Sequence, residues 1–103
     1  MGHYDVVLLP IAEDDLLDIT TYISEKLHAP QAAEAFVLEL DKLIEQLERH
    51  PFSYELYRAE RPLEYEIRRA PVKNYVVFYA VIEDMVEIHR ILYGYRDMSQ
   101  QEL

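Results

Sequence analysis

The sequence contains no cysteine, which excludes a disulfide framework, a thiolate nucleophile and any zinc site built on sulfur. Only two glycines occur, so there is no glycine-rich loop to cradle a phosphate. No apolar run comes near the ~20 residues that a membrane span requires. The opening MGHYDVVLLP lacks the charged start and the cleavage site of a secretory signal. Together these absences predict a cytoplasmic protein that meets no membrane. Basic charge is scarce too: ten Lys and Arg against 20 Asp and Glu give a formal net charge of −10. Nonspecific nucleic-acid binding runs on counterion release by basic side chains, so this balance counts against it. His3, His28, His50 and His89 show no metal-ligand spacing, and Ser24, Ser53 and Ser99 lie in no nucleophile-elbow motif. No metal, cofactor or serine triad is therefore expected.

What is present is ample apolar material. Half of the 103 residues are hydrophobic, enough for one domain spanning 1–103 with a core that buries roughly two-thirds of the unfolded surface. Five prolines punctuate the chain. Before Pro10, Tyr4 to Leu9 reads as a short apolar strand with imperfect alternation, as expected where both faces are covered. From Ala12 to Leu27 the spacing turns helical. Ala12, Leu16, Ile19, Ile23 and Leu27 form one stripe, and Asp14, Asp15, Asp18, Thr21 and Glu25 fall on the water side. A second helix runs from about Pro30 to Arg49 on the stripe Ala33, Phe36, Leu40, Leu43 and Leu47, and Pro51 stops it.

Residues 51–62 show no period and read as a loop. Three strands follow: LEYEIRR from Leu63, VKNYVVFYAVI from Val72 to Ile82, and VEIHRILY from Val86 to Tyr93, with a turn at Glu83 and Asp84. Gly94 ends the last strand, and YRDMSQQEL forms a tail. The sum is an α+β fold, β-α-α-β-β-β, in which a helical hairpin covers one face of a mostly antiparallel four-stranded sheet.

The charge is unevenly placed. Residues 1–50 carry three bases and eleven acids, whereas residues 51–103 carry seven bases and nine acids. Any basic surface must come from the strands. Arg68 and Arg69 close one strand, Lys73 opens the next, Arg90 lies inside the last, and Arg96 follows Gly94. Strand parity puts Arg90 beside Val86, Ile88 and Leu92, where a charge needs a partner or a groove; an acid such as Glu66 or Glu87 would serve. On the other parity lie Glu87, His89, Ile91 and Tyr93. His89 and Tyr93 suit proton transfer or stacking, or plain packing. The face of the sheet opposite the helices is where a site is expected.

Several segments, taken in order, resemble the RelE/ParE superfamily of toxins from type II toxin–antitoxin systems, on its ParE-like branch. They are AEDDLLDITTYI, PQAAEAF, LERHP, IRRAPVKNYVVFYAV and VEIHRILYGYRD. The resemblance implies a growth-inhibiting toxin of a plasmid-stabilisation type of system, held inactive by a cognate antitoxin whose C-terminal segment wraps along it. It also implies a homodimer or a hetero-oligomer with that antitoxin. ParE-like members poison DNA gyrase; RelE-like members cut mRNA on the ribosome with arginine, lysine and, in some members, a Tyr or His. Carried over residue by residue, a nuclease would use Arg69, Arg90 and Arg96, with His89 or Tyr93 moving the proton. As a binding toxin, the chain would meet its target or partner through Arg68, Arg69, Lys73, Tyr75 and Arg96. The arginine that RelE-like nucleases carry after the tyrosine of the next strand is Val76 here, and their C-terminal tyrosine has no counterpart in DMSQQEL. Ribosome-directed members are typically basic, and this chain is acidic. The resemblance therefore implies a binding inhibitor more than a nuclease.

Overall fold

The computed structural model describes residues 3–94. Strand β1 spans Asp5–Leu8, and helix α1 (Pro10–Thr21) continues into a π-helical turn, Tyr22–Lys26. Helix α2 is Pro30–Arg49, and strands β2 (Arg68–Val72), β3 (Tyr75–Ile82) and β4 (Met85–Tyr93) follow. The sheet order is β1-β4-β3-β2. β1 runs parallel to β4, and both other pairings are antiparallel. The expected β-α-α-β-β-β order and helical hairpin are both present.

Each helix starts on a proline, where the missing N–H costs nothing and φ is already set. α1 therefore begins two residues before the apolar stripe that starts at Ala12. Its end is less regular. The Leu27 N–H donates to the Tyr22 carbonyl, His28 takes φ 52°, and the Ala29 N–H reaches back to the Ile23 carbonyl. A left-handed residue is a common way to close a helix C-terminus. α2 buries Ala33, Phe36, Leu40, Leu43 and Leu47, the stripe its spacing predicts. α1 packs on β4, and α2 on β1 and β2. Between the helices and the sheet lies the main core, with Val77, Tyr79, Val86, Ile88 and Ile91 from the strands.

Three local readings of the sequence need correction. Residues 63–67 are not strand. The strand occupies Arg68–Val72 and includes Pro71, which the alternation in LEYEIRR did not suggest. Pro71 is tolerated because the Arg69 N–H points away from β3, to the Glu55 carbonyl. Two residues on, Pro71 faces the same outer side and breaks no ladder bond. Second, Val72–Ile82 is not one strand: Lys73 and Asn74 make a two-residue turn, with Lys73 at φ 56°. A lysine is a poor signal for that conformation.

Third, the parity of β4 changes partway. Tyr79 pairs with Ile88, but Phe78 pairs with Arg90, so His89 is an extra residue. Such a bulge swaps the side chains from Ile91 onward to the opposite face. Ile88 and Ile91 therefore share the main core, and Leu92 joins a second cluster on the far face with Ile67, Val76, Phe78 and Ala80.

That far face is not open, as the sequence had suggested. The segment after α2 folds over it, packing Tyr57 and Leu63 on the second cluster. The Tyr57 and Phe78 rings meet edge to face at 5.2 Å. Arg68 anchors this segment, donating to the Tyr54 carbonyl at 2.7 Å and stacking 5.1 Å over Phe52. The buried Tyr79 hydroxyl donates to the Pro51 carbonyl at 2.7 Å.

Candidate functional site

The residues singled out from the sequence fall in separate places. Arg69 pairs with Phe78 in register and so lies on the face away from the helices. His89 is buried on that same face, with Nε2 3.4 Å from Glu87 Oε1 and no hydrogen bond to it among the described residues. The Tyr65 ring stands edge-on to His89 at 6.1 Å. Tyr65 is exposed, and the Glu64 carboxylate beside it raises its pKa above the usual phenol value.

Arg90 turns the other way. Its Nε and Nη2 donate to the Asp15 carboxylate of α1 at 2.8 and 3.0 Å. The Ile91 N–H, just past the bulge, donates to the same carboxylate at 3.0 Å. Asp15 thus closes the bulge and ties α1 to β4. This corrects two readings: Asp15 does not face water, and the acid partner of Arg90 is neither Glu66 nor Glu87. Local pattern carries no sign of it, because the pairing joins residues seventy-five positions apart beside a one-residue bulge.

Lys73, Tyr75 and Tyr93 come together at a cleft of about 830 Å³ between the α1–α2 connection and the β2–β3 turn. Tyr75 packs edge to face on Phe36 at 5.3 Å and on Tyr93 at 5.5 Å, giving a row of three rings. Across from them stand Asp18 and Tyr22, followed by Leu27 at the end of the π turn. Tyr22, Leu27 and Tyr93 are large apolar groups left exposed around one opening. Asp18, Tyr22 and Phe36 were missed as site residues from the sequence. The available signal was an aromatic and a leucine at the frayed end of α1. Arg96 lies outside the described residues, as does the tail that follows it.

Of the nuclease set, then, Arg69 and His89 share one face, while Arg90 and Tyr93 belong to the helix side and the cleft. Val76, where an arginine would be needed, is buried in the second cluster. Among the described residues no group of His, Asp and Glu could hold a metal ion, and no helix is long and apolar enough to cross a membrane.

A two-helix hairpin on a four-stranded mixed sheet is the fold of the RelE/ParE-like toxins. Residues 6–98 match the family described as "ParE toxin of type II toxin-antitoxin system, parDE", and the chain belongs to that family. It is a type II toxin by that membership. The fold is similar to a chain of the chromosomal ParDE toxin–antitoxin system from P. aeruginosa, with a TM-score of 0.68 at 19% identity, covering 90% of this chain and 98% of that one. It is also similar to a chain of the archaeal RelE-RelB complex from Pyrococcus horikoshii OT3, with a TM-score of 0.56 at 20% identity, covering 94% and 100%. No curated protein matches the chain in sequence.

Proposed function

We propose that this toxin acts in the cytoplasm by binding and inhibiting a bacterial protein target such as DNA gyrase, and that a cognate antitoxin neutralises it. The observation that carries this reading is the separation of the basic and titratable side chains that a nuclease would need together. Arg90 is committed to Asp15. Arg69 and His89 lie on the covered far face, and Val76 supplies no charge. Stabilising a phosphodiester transition state requires several preorganised donors aimed at one point, and the described residues offer no such convergence. A binding toxin needs only a shaped surface, which the cleft and the exposed groups around it provide.

The test is controlled expression in a bacterial host, with and without the product of the adjoining reading frame. Growth should slow, DNA-damage signalling should rise, and purified toxin should impair supercoiling by gyrase. Co-expression of the antitoxin should restore growth. Cleaved mRNA in a translating extract, lost in Arg69→Ala, would replace this reading with a ribosome-dependent endonuclease. Normal growth with abundant soluble protein would mark a family member that has lost toxicity.

A further inference from the structure

We propose that the cleft is a receptor for a cationic side chain, arginine or lysine, carried on a short apolar segment of the antitoxin. This inference rests on the antitoxin-neutralised reading above and names the chemistry of its contact. Three features argue for it. Phe36, Tyr75 and Tyr93 form a continuous edge-to-face row along one wall, and aromatic faces attract a desolvated cation through their quadrupoles. Opposite them, the Asp18 carboxylate has no hydrogen-bond or ion-pair partner among the described residues, although it lines the same space. The exposed Tyr22 ring flanks it. A carboxylate facing a row of rings suits a guanidinium or ammonium group on an aliphatic stem.

The charge of the chain points the same way. Residues 1–50, which supply the helical wall, hold eleven acids against three bases. A partner segment meeting that wall with acidic side chains would be repelled, whereas a basic one is steered toward it. Lys73 stands on the strand side of the cleft, which fixes the direction: the incoming cation seats at the Asp18 end. The cleft of about 830 Å³ holds several side chains, so apolar neighbours of the cation enter with it and cover the exposed Tyr22, Leu27 and Tyr93.

The test uses the full chain and a capped eight-residue peptide of leucine, alanine and arginine, with citrulline and glutamate counterparts. The arginine peptide should shift the ring proton signals of Phe36, Tyr75 and Tyr93. Citrulline, which keeps the shape and removes the charge, should bind at least tenfold more weakly, and the glutamate peptide should not bind. Asp18→Asn, an exposed and conservative change, should weaken the arginine peptide about fivefold. Equal binding of the citrulline peptide, shifts confined to other residues, or no shift at millimolar peptide would overturn the proposal. So would ring shifts of the same size on Arg96→Gln without peptide, which would make the chain's own terminal arginine the occupant. The two readings separate cleanly. Cation-selective peptide binding without growth inhibition would remove the toxin reading and keep the cleft chemistry. Growth inhibition that the antitoxin relieves equally in the parent and Asp18→Asn chains would remove the cleft inference alone.

Discussion

Replacing Asp15 by alanine should be among the most damaging single changes outside the apolar core. The carboxylate accepts three hydrogen bonds, two from the Arg90 guanidinium and one from the Ile91 amide. Hydrogen bonds to charged groups contribute about 1.5–3 kcal/mol each when measured singly, and they are not additive. Breaking a fully buried ion pair by removing one partner costs about 3–5 kcal/mol. Here the Arg90 and Asp15 side chains are 14% and 13% exposed, so water screens part of that penalty and the expected loss falls to about 2–4 kcal/mol. The amide matters as much as the ion pair. The bulge turns the Ile91 N–H out of the β3–β4 ladder, and the Asp15 carboxylate is the acceptor it finds there.

For a domain of this size, 1 kcal/mol moves the melting temperature by roughly 4–8 °C, so Asp15→Ala should melt about 10–30 °C below the parent chain by circular dichroism. Asp14→Ala, one residue away on the exposed side of α1, is the control and should stay within about 0.5 kcal/mol. Asp15→Asn keeps an acceptor and loses the charge, so it should fall between the two. A urea-unfolding cycle of Asp15→Ala with Arg90→Met should show a coupling of about 1–3 kcal/mol, because each single change strands the other group. If Asp15→Ala and Asp14→Ala cost the same, the account of the bulge and its carboxylate is wrong.

The Tyr79 hydroxyl donates to the Pro51 carbonyl inside the core, so Tyr79→Phe should cost about 1–2 kcal/mol in urea unfolding and loosen the segment over the far face. Burial pushes the Tyr79 phenol up to about 12 from about 10 unfolded. Its contribution is therefore fully present below pH 10 and lost as pH rises through 12. Stability should then fall by about 2–3 kcal/mol over that window, and Tyr79→Phe should lack the effect. Lys73→Gly relieves a left-handed φ of 56° that costs a residue bearing a Cβ roughly 1 kcal/mol; offset by glycine's greater unfolded freedom, it should leave stability unchanged or raise it slightly. Phe36→Ala should cost about 3–5 kcal/mol and enlarge the cleft, read as a lower denaturation midpoint.

Periodicity carried the helical half of the fold. The α2 stripe of Ala33, Phe36, Leu40, Leu43 and Leu47 is the buried face residue for residue, because spacing alone decides which side of a long helix is apolar. The strands were harder to read. Pro71 discourages a strand assignment unless its nitrogen is known to face away from β3, and the sign of that is the Arg69 N–H bonding to Glu55, fourteen residues before Arg69. The turn at Lys73 lacks the usual glycine, so the apolar sequence runs through it without a break. The bulge at His89 leaves no mark in composition, yet it decides which faces Ile91 and Leu92 occupy. The site inherits this uncertainty. Lys73 and Tyr75, singled out from the sequence, line the cleft, but so do Tyr22, Asp18 and Phe36, whose meeting depends on how the helical hairpin ends.

The internal use of arginine makes the outer surface more acidic than the residue count suggests. Arg68 is spent on the Tyr54 carbonyl and the Phe52 ring, and Arg90 on Asp15. Of the strand cations in the described residues, Arg69 and Lys73 have no partner there, whereas Asp14, Asp18 and many α2 acids stay exposed. With a net charge of −10, association with a polyphosphate backbone would begin from repulsion. A protein partner imposes no such demand, since apolar surface and a few positive charges suffice. The association rate with a basic antitoxin should therefore fall as salt rises, as it does for steered encounters. A rate that instead rises with salt would mean that like charges face each other across the interface, and the electrostatic argument for the partner would fail with it.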